Sequence, residues 1–156
     1  MSIAVIYSRA QDGINAPLVT VEVHLSRGLP SFSIVGLPET TVKESKERVR
    51  SAILNNQFEF PLSRITINLA PADLPKEGGR FDLPIAVGIL LASGQISANT
   101  INDVELIGEL SLTGDLRPIK GALPVSIAVK NVQRSLILPL LNADEAALVE
   151  RSQCLP

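Results

Sequence analysis

ITINLAPADLPKEGGRFDLPIAVGILLASGQI, residues 65–96, changes its hydrophobic period part-way through, and that change decides the kind of fold. Ile65, Ile67 and Leu69 alternate with Thr66 and Asn68, the two-residue repeat of a strand with one buried and one wet face. Ala70 to Asp82 then carries Pro71, Pro75 and the Gly78-Gly79 pair, which reads as a loop. The apolar run Leu83 to Ala92 has no such alternation, and Pro84 is tolerated in a first helical turn, so this run predicts a helix buried on most sides. Strand, long loop and buried helix in that order call for a sheet with a helix packed on it.

The flanks extend the pattern. Ile3 to Ser8 reads as a strand. Leu18 to Leu25 is a clearer one, with Val19, Val21, Val23 and Leu25 facing one way, and Ser31 to Val35 follows between two Gly-Leu-Pro turns. Thr41 and Glu44 have capping-box spacing, and Val42, Val49, Ala52 and Ile53 form an apolar stripe, which together predict a helix starting at Thr41. Downstream, strands are expected at Val104–Ile107 and Leu110–Leu116. A helix follows at about Ala122 to Val129, then a strand at Leu136–Leu138 and a helix opening near Asn142. Strands followed by mixed αβ units, with no repeat and no low-complexity linker, indicate an α+β or α/β domain with a mixed sheet.

Composition narrows the function classes. A chain of 156 residues with 46% hydrophobic and 19% charged content supports one core. Its aromatics are Tyr7, Phe32, Phe58, Phe60 and Phe81, too few to suggest a nucleic-acid stacking platform. A net charge of −2 gives no overall attraction to a polyanion, so phosphate binding requires a local basic patch. The single Cys154, in a tail expected to fray, permits no intrachain disulfide and fits a reducing compartment. The N-terminus lacks the basic and apolar regions of a signal peptide, and the uncharged run Leu83–Asn102 turns polar after Ala92, short of the roughly 20 apolar residues that a membrane span needs. A cytoplasmic protein without membrane contact is expected.

The residues offer little chemistry directly. His24 is the only histidine and falls on the wet face of a strand, which reads as a surface residue. One His and one Cys far apart make no zinc site. Asp103 and Glu105 alternate with Val104 and Leu106 as in any half-exposed strand. Gly78-Gly79 precedes a helix as phosphate-binding turns do, but no GxxxxGK[ST] occurs. Asp82 at the helix entrance would compete with phosphate and reads as the N-cap. Lys43, Lys46, Arg48 and Arg50 interleave with Glu39, Glu44 and Glu47, a pattern typical of a solvated, salt-bridged helix face.

Three stretches together carry a resemblance: FSIVGLPETTVKESKERVRSAI (32–53), residues 65–96, and ELIGELSLTGDLRPIKGALP (105–124). In order and spacing, from about Ile3 to Pro139, they resemble the N-terminal domain of the ComM/YifB family of magnesium-chelatase-like AAA+ proteins. The resemblance implies an α+β, Lon-protease-like fold, related to the second domain of a ribosomal small-subunit protein and shared with the C-terminal domain of RadA. In Lon proteases a PKDGPSAG loop supplies a catalytic serine and a PIGGLKEK segment supplies the lysine. Aligned on PKEGGRFDLP and PIKGALPV, Asp82 stands at the serine position and Leu123 and Val125 at the lysine positions, so both members of the dyad are replaced.

The resemblance further implies a single domain over 1–156, ending before the domain's usual C-terminus and lacking the AAA+ motor. No cofactor is expected in this fragment, since ATP and magnesium belong to the motor. Family members assemble as homo-hexamers, and they resemble DNA helicases that drive branch migration in natural transformation and recombination. A non-catalytic role in assembly, or in positioning DNA or a partner, is expected, with the rest of the AAA+ chain as first partner. If DNA is touched, Lys76 and Arg80 in the loop are the candidates, with Lys43, Lys46, Arg48 and Arg50 as a second patch. Two alternatives are a residual peptidase using Ser93 or Ser111 with Lys120 as base, and a magnesium-chelatase-type subunit domain.

Overall fold

Period-two alternation in the N-terminal half builds the centre of one large sheet. The computed structural model describes residues 2–36, 38–98, 103–143 and 154–155. In chain order its elements are β1 (Ser2–Arg9), β2 (Leu18–Ser26), β3 (Ser31–Val35), α1 (Thr40–Lys43), α2 (Ser45–Asn55), β4 (Arg64–Ala70), α3 (Asp82–Ala92), β5 (Val104–Leu106), β6 (Glu109–Leu110), β7 (Leu116–Arg117), α4 (Ala122–Asn131), β8 (Ser135–Ile137) and β9 (Cys154–Leu155). The main sheet runs β3-β4-β2-β1-β5-β8-β9, and β6-β7 is a separate small hairpin. β2 is antiparallel to both β1 and β4, while β3–β4, β1–β5, β5–β8 and β8–β9 are parallel. The mixed sheet with its packed helices is α+β, one of the two classes that the hydrophobic pattern left open and the one that the resemblance implies.

Val19, Val21 and Val23 of β2 and Ile65, Ile67 and Leu69 of β4 are completely buried, each contributing about 1.5–3 kcal/mol. They pack under α3, whose Ile85 and Ile89 are also fully buried, with α2 beside it. Gly88 brings α3 close to the sheet: a Cβ there would lie 2.5 Å from Val23 Cγ2 and 3.5 Å from Ile6 Cγ1. Gly88→Ala is therefore expected to lift the helix and destabilise the fold by about 1–3 kcal/mol, read as a lower urea midpoint. A second cluster lies on the other face. Leu106 and Ile137 join the α3 side, while Leu136 packs with Val125 and Val129 of α4, so α4 covers the opposite face at β5 and β8.

Four local expectations change. The first helix starts at Thr40 after an extended Glu39, and Glu44 has helical φ −66° and ψ −16° where α1 joins α2, so Thr41 lies inside the helix and does not hold the N-cap position. Leu110–Leu116 is not one strand: Gly114, with φ +95°, closes a turn between β6 and β7, and Ser111 N–H bonds Asp115 O at 2.9 Å. Near Asn142 there is a 3-10 turn, Leu140–Asn142; residues 144–153 lie outside the described region. Cys154–Leu155 pairs with β8 as a parallel strand, which corrects the expectation of a frayed tail. Among the described residues no helix is long and apolar enough to cross a membrane.

Candidate functional site

The loop between β4 and α3 and the N-terminus of α3 form the region where the aligned protease motif would act. Phe81, not Asp82, holds the N-cap position, with φ −89° and ψ −1°, and Asp82 is already the first helical residue. Its carboxylate turns away from the α3 backbone toward α2. It accepts the Ser45 hydroxyl, Arg48 Nε at 2.6 Å, a second Arg48 nitrogen at 3.2 Å and Leu110 N–H at 3.0 Å. The N-cap reading is thus corrected: Asp82 is a fully buried tie joining α2, α3 and β6. Burial pushes its carboxyl above the ordinary carboxylate range, against the pull of Arg48, Ser45 and the Leu110 amide. Arg48 is in turn held above its ordinary value by its hydrogen bond to Asp82.

Lys76 leaves the candidate DNA surface, and Arg80 is largely withdrawn from it. Lys76 is fully buried, and its ammonium donates to the carbonyls of Gly36 and Pro71, while its own carbonyl accepts Glu39 N–H at 3.1 Å. Arg80 is 6% exposed and donates to the Lys120 carbonyl, to Gln11 Oε1 at 3.3 Å and to the Arg9 carbonyl at 3.5 Å. Lys76 braces the loop from inside, while Arg80, held to the same loop by carbonyls, still borders the cleft in front of it. Of the second patch, Arg48 is tied to Asp82, so Lys43, Lys46 and Arg50 are the candidates left at the surface.

Desolvation pulls the Lys76 ammonium below its ordinary value of 10.5, against Asp73. Above that lowered value the folded chain gives up the proton before the unfolded chain does, so this contribution to stability rises with pH until 10.5 and is lost as pH falls through the folded value. Relative to Lys76→Met, wild type is expected to gain melting temperature as pH rises through that window; a constant difference would contradict it.

A cleft of about 410 Å³ remains in front of the loop, lined by Glu77, Gly78, Arg80, Glu109 and Lys120 among others. Val125 is buried and Leu123 half-buried on α4, so the two lysine positions of the protease motif hold apolar packing. The alternative nucleophiles are elsewhere. Ser93 follows the far end of α3, about 16 Å along the helix from Asp82, and donates to the Leu90 carbonyl at 3.2 Å. Ser111 belongs to the hairpin turn, 2.9 Å from Thr113 Oγ1.

Glu105 departs most from the sequence reading. It is fully buried, accepts Arg9 through both oxygens at 2.6 and 2.9 Å and Arg134 at 3.2 Å, and Arg134 stacks 4.3 Å over the Tyr7 ring. The half-exposed alternation fails because the second face of β5 is covered. Among the described residues no group of three or more His, Cys, Asp and Glu residues is placed to hold a metal. His24 is half-buried on the open face of β2.

Comparison with known proteins settles the lineage. The family described as subunit ChlI of Mg-chelatase matches residues 21–142. The chain belongs to this ChlI family. It is 59% identical to the competence protein ComM of Haemophilus influenzae over 96% of this chain and 29% of that protein. It is 54% identical to YifB of Escherichia coli over 99% of this chain and 31% of that protein. The chain therefore spans less than a third of these relatives' length. Lon protease 2 of Thermus thermophilus is 28% identical over 86% of this chain and 17% of that enzyme, in keeping with the Lon-like α+β fold of this ChlI-family chain.

Proposed function

We propose that this ChlI-family chain is a non-catalytic accessory domain of a ComM-like hexameric AAA+ DNA motor, acting in ring assembly or in positioning DNA or a partner during transformation and recombination. The observation that carries this reading is the state of Asp82: a carboxylate tied to Arg48, Ser45 and Leu110 N–H stands at the nucleophile position, with apolar side chains at the lysine positions. An acyl-forming serine needs an adjacent base to activate it, and this arrangement offers neither member. In this reading ATP and magnesium serve the remaining motor, the partners are the rest of the chain and its hexamer mates in the cytoplasm, and the 59% identity to a competence protein supports the setting. The family description favours a second reading, a subunit domain in metal insertion into a tetrapyrrole.

The test is deletion of residues 1–156 from the full-length protein. Loss of hexamers and of branch migration, with ATP hydrolysis by the motor retained, is the expected result. Unchanged assembly and unchanged branch migration would overturn the proposal.

A further inference from the structure

At the starts of β3 and β4, the end of the sheet opposite the 71–81 loop, a groove of about 290 Å³ opens between these strands and α2. Phe32 and Phe60 form its floor, with ring centroids 5.7 Å apart and planes tilted by 32°, and both pack on the main core. Arg50 lies with Cζ 5.8 Å from the Phe60 centroid, and Lys46 stands one turn earlier on α2. Leu62 is 88% exposed at the lip. Two aromatic rings meet two cations here although the chain holds few aromatics, a juxtaposition that composition could not show.

We propose that this groove docks an extended, acidic segment of a partner polypeptide that inserts one large apolar side chain against Phe32, Phe60 and Leu62. The volume suits one such side chain. Lys46 and Arg50, set against Glu47 alone among the lining residues, leave the groove positive and complementary to carboxylates on either side of the anchor. The backbone supplies a further contact. Ser31 N–H points toward β4, 3.3 Å from Ser63 O, so by strand alternation the N–H and C=O of Phe32 face away from β4 along the outer edge of β3, where an extended chain can pair with them. Nucleic acid fits less well: Arg50 already covers the Phe60 ring, the lip is a leucine, and the net charge of −2 opposes a long polyanion. The proposal goes beyond the motor reading and does not depend on it, because the segment binds this chain with no motor attached.

The experiment is selection of random dodecapeptides displayed on phage against the folded chain, followed by binding of the recovered peptides to variants. Recovered peptides are expected to place Asp or Glu around a Leu, Ile or Phe. Their affinity is expected to fall at least about tenfold with Lys46→Glu/Arg50→Glu and with the surface change Leu62→Ser, and to be unchanged with Lys130→Glu, an exposed position on α4. Recovery of no peptide, or equal binding to all variants, would overturn the proposal. Labelled oligothymidylate that binds the wild type and is lost with the same variants would overturn it in favour of a nucleic-acid site. The deletion experiment on the full-length ring reads the motor proposal separately.

Discussion

Asp82→Ser, which restores the residue type of the protease motif, is expected to lower stability by about 3 kcal/mol and to create no peptidase. The substitution leaves the Leu110 amide, the Ser45 hydroxyl and the Arg48 guanidinium without their common acceptor in a site that water does not reach from the Asp82 side. In a domain of this size that corresponds to a fall of about 6–12 °C in melting temperature. Arg48 keeps some solvent access, its side chain being 21% exposed, so Arg48→Met is expected to be milder. The double variant separates the pair from the rest: if Asp82 acts through Arg48, Arg48→Met costs much less in the Asp82→Ser background than in wild type. A loss below about 0.5 kcal/mol for Asp82→Ser would show that the tie carries no load.

Glu105→Ala is expected to be the most damaging single change, at about 3–5 kcal/mol. Arg9 is almost buried and donates two bonds to this carboxylate and a third, at 3.1 Å, to the Ala16 carbonyl, so removing Glu105 strands a guanidinium in the interior. Arg134, at 25% side-chain exposure and stacked on Tyr7, can turn to solvent, which makes Arg134→Ala the smaller effect. Urea unfolding of the two variants beside wild type reads the difference. Equal losses for Glu105→Ala and Arg134→Ala would contradict this division of roles. The network ties β1 to β5 across a single register pair, Tyr7 with Glu105, where backbone pairing is least extensive.

The strands of the N-terminal half were legible because alternation is a local property: Val19, Val21, Val23 and Ile65, Ile67, Leu69 declare their buried face within a few residues. The same holds for α3, whose unbroken apolar run announces burial on most sides. What the sequence concealed depends on partners far along the chain. Asp82 reads as an N-cap until Ser45 and Arg48, 37 and 34 residues away, are brought to its carboxylate. Glu105 reads as half-exposed until Arg9, 96 residues away, arrives across β1. Lys76 and Arg80 looked available because the loop is rich in Pro and Gly, yet carbonyls of Gly36, Pro71 and Lys120 draw both side chains inward. The hairpin misread at Leu110–Leu116 did carry a signal, since Thr113-Gly114-Asp115 is turn chemistry inside an apparent strand.

The candidate site divides in the same way. Replacement of the dyad is what the aligned motifs imply, because it concerns which residue types stand at three positions. The part that Asp82 plays required geometry: its carboxylate, fully enclosed and facing a guanidinium, holds α2 and β6 to the head of α3.

The most direct test of the non-catalytic reading is prolonged incubation of the folded chain with unfolded, fluorescently labelled casein. The casein is expected to remain intact, with Lys120→Ala making no difference. Cleavage by wild type that disappears in Lys120→Ala would contradict it and restore a working peptidase to this cleft.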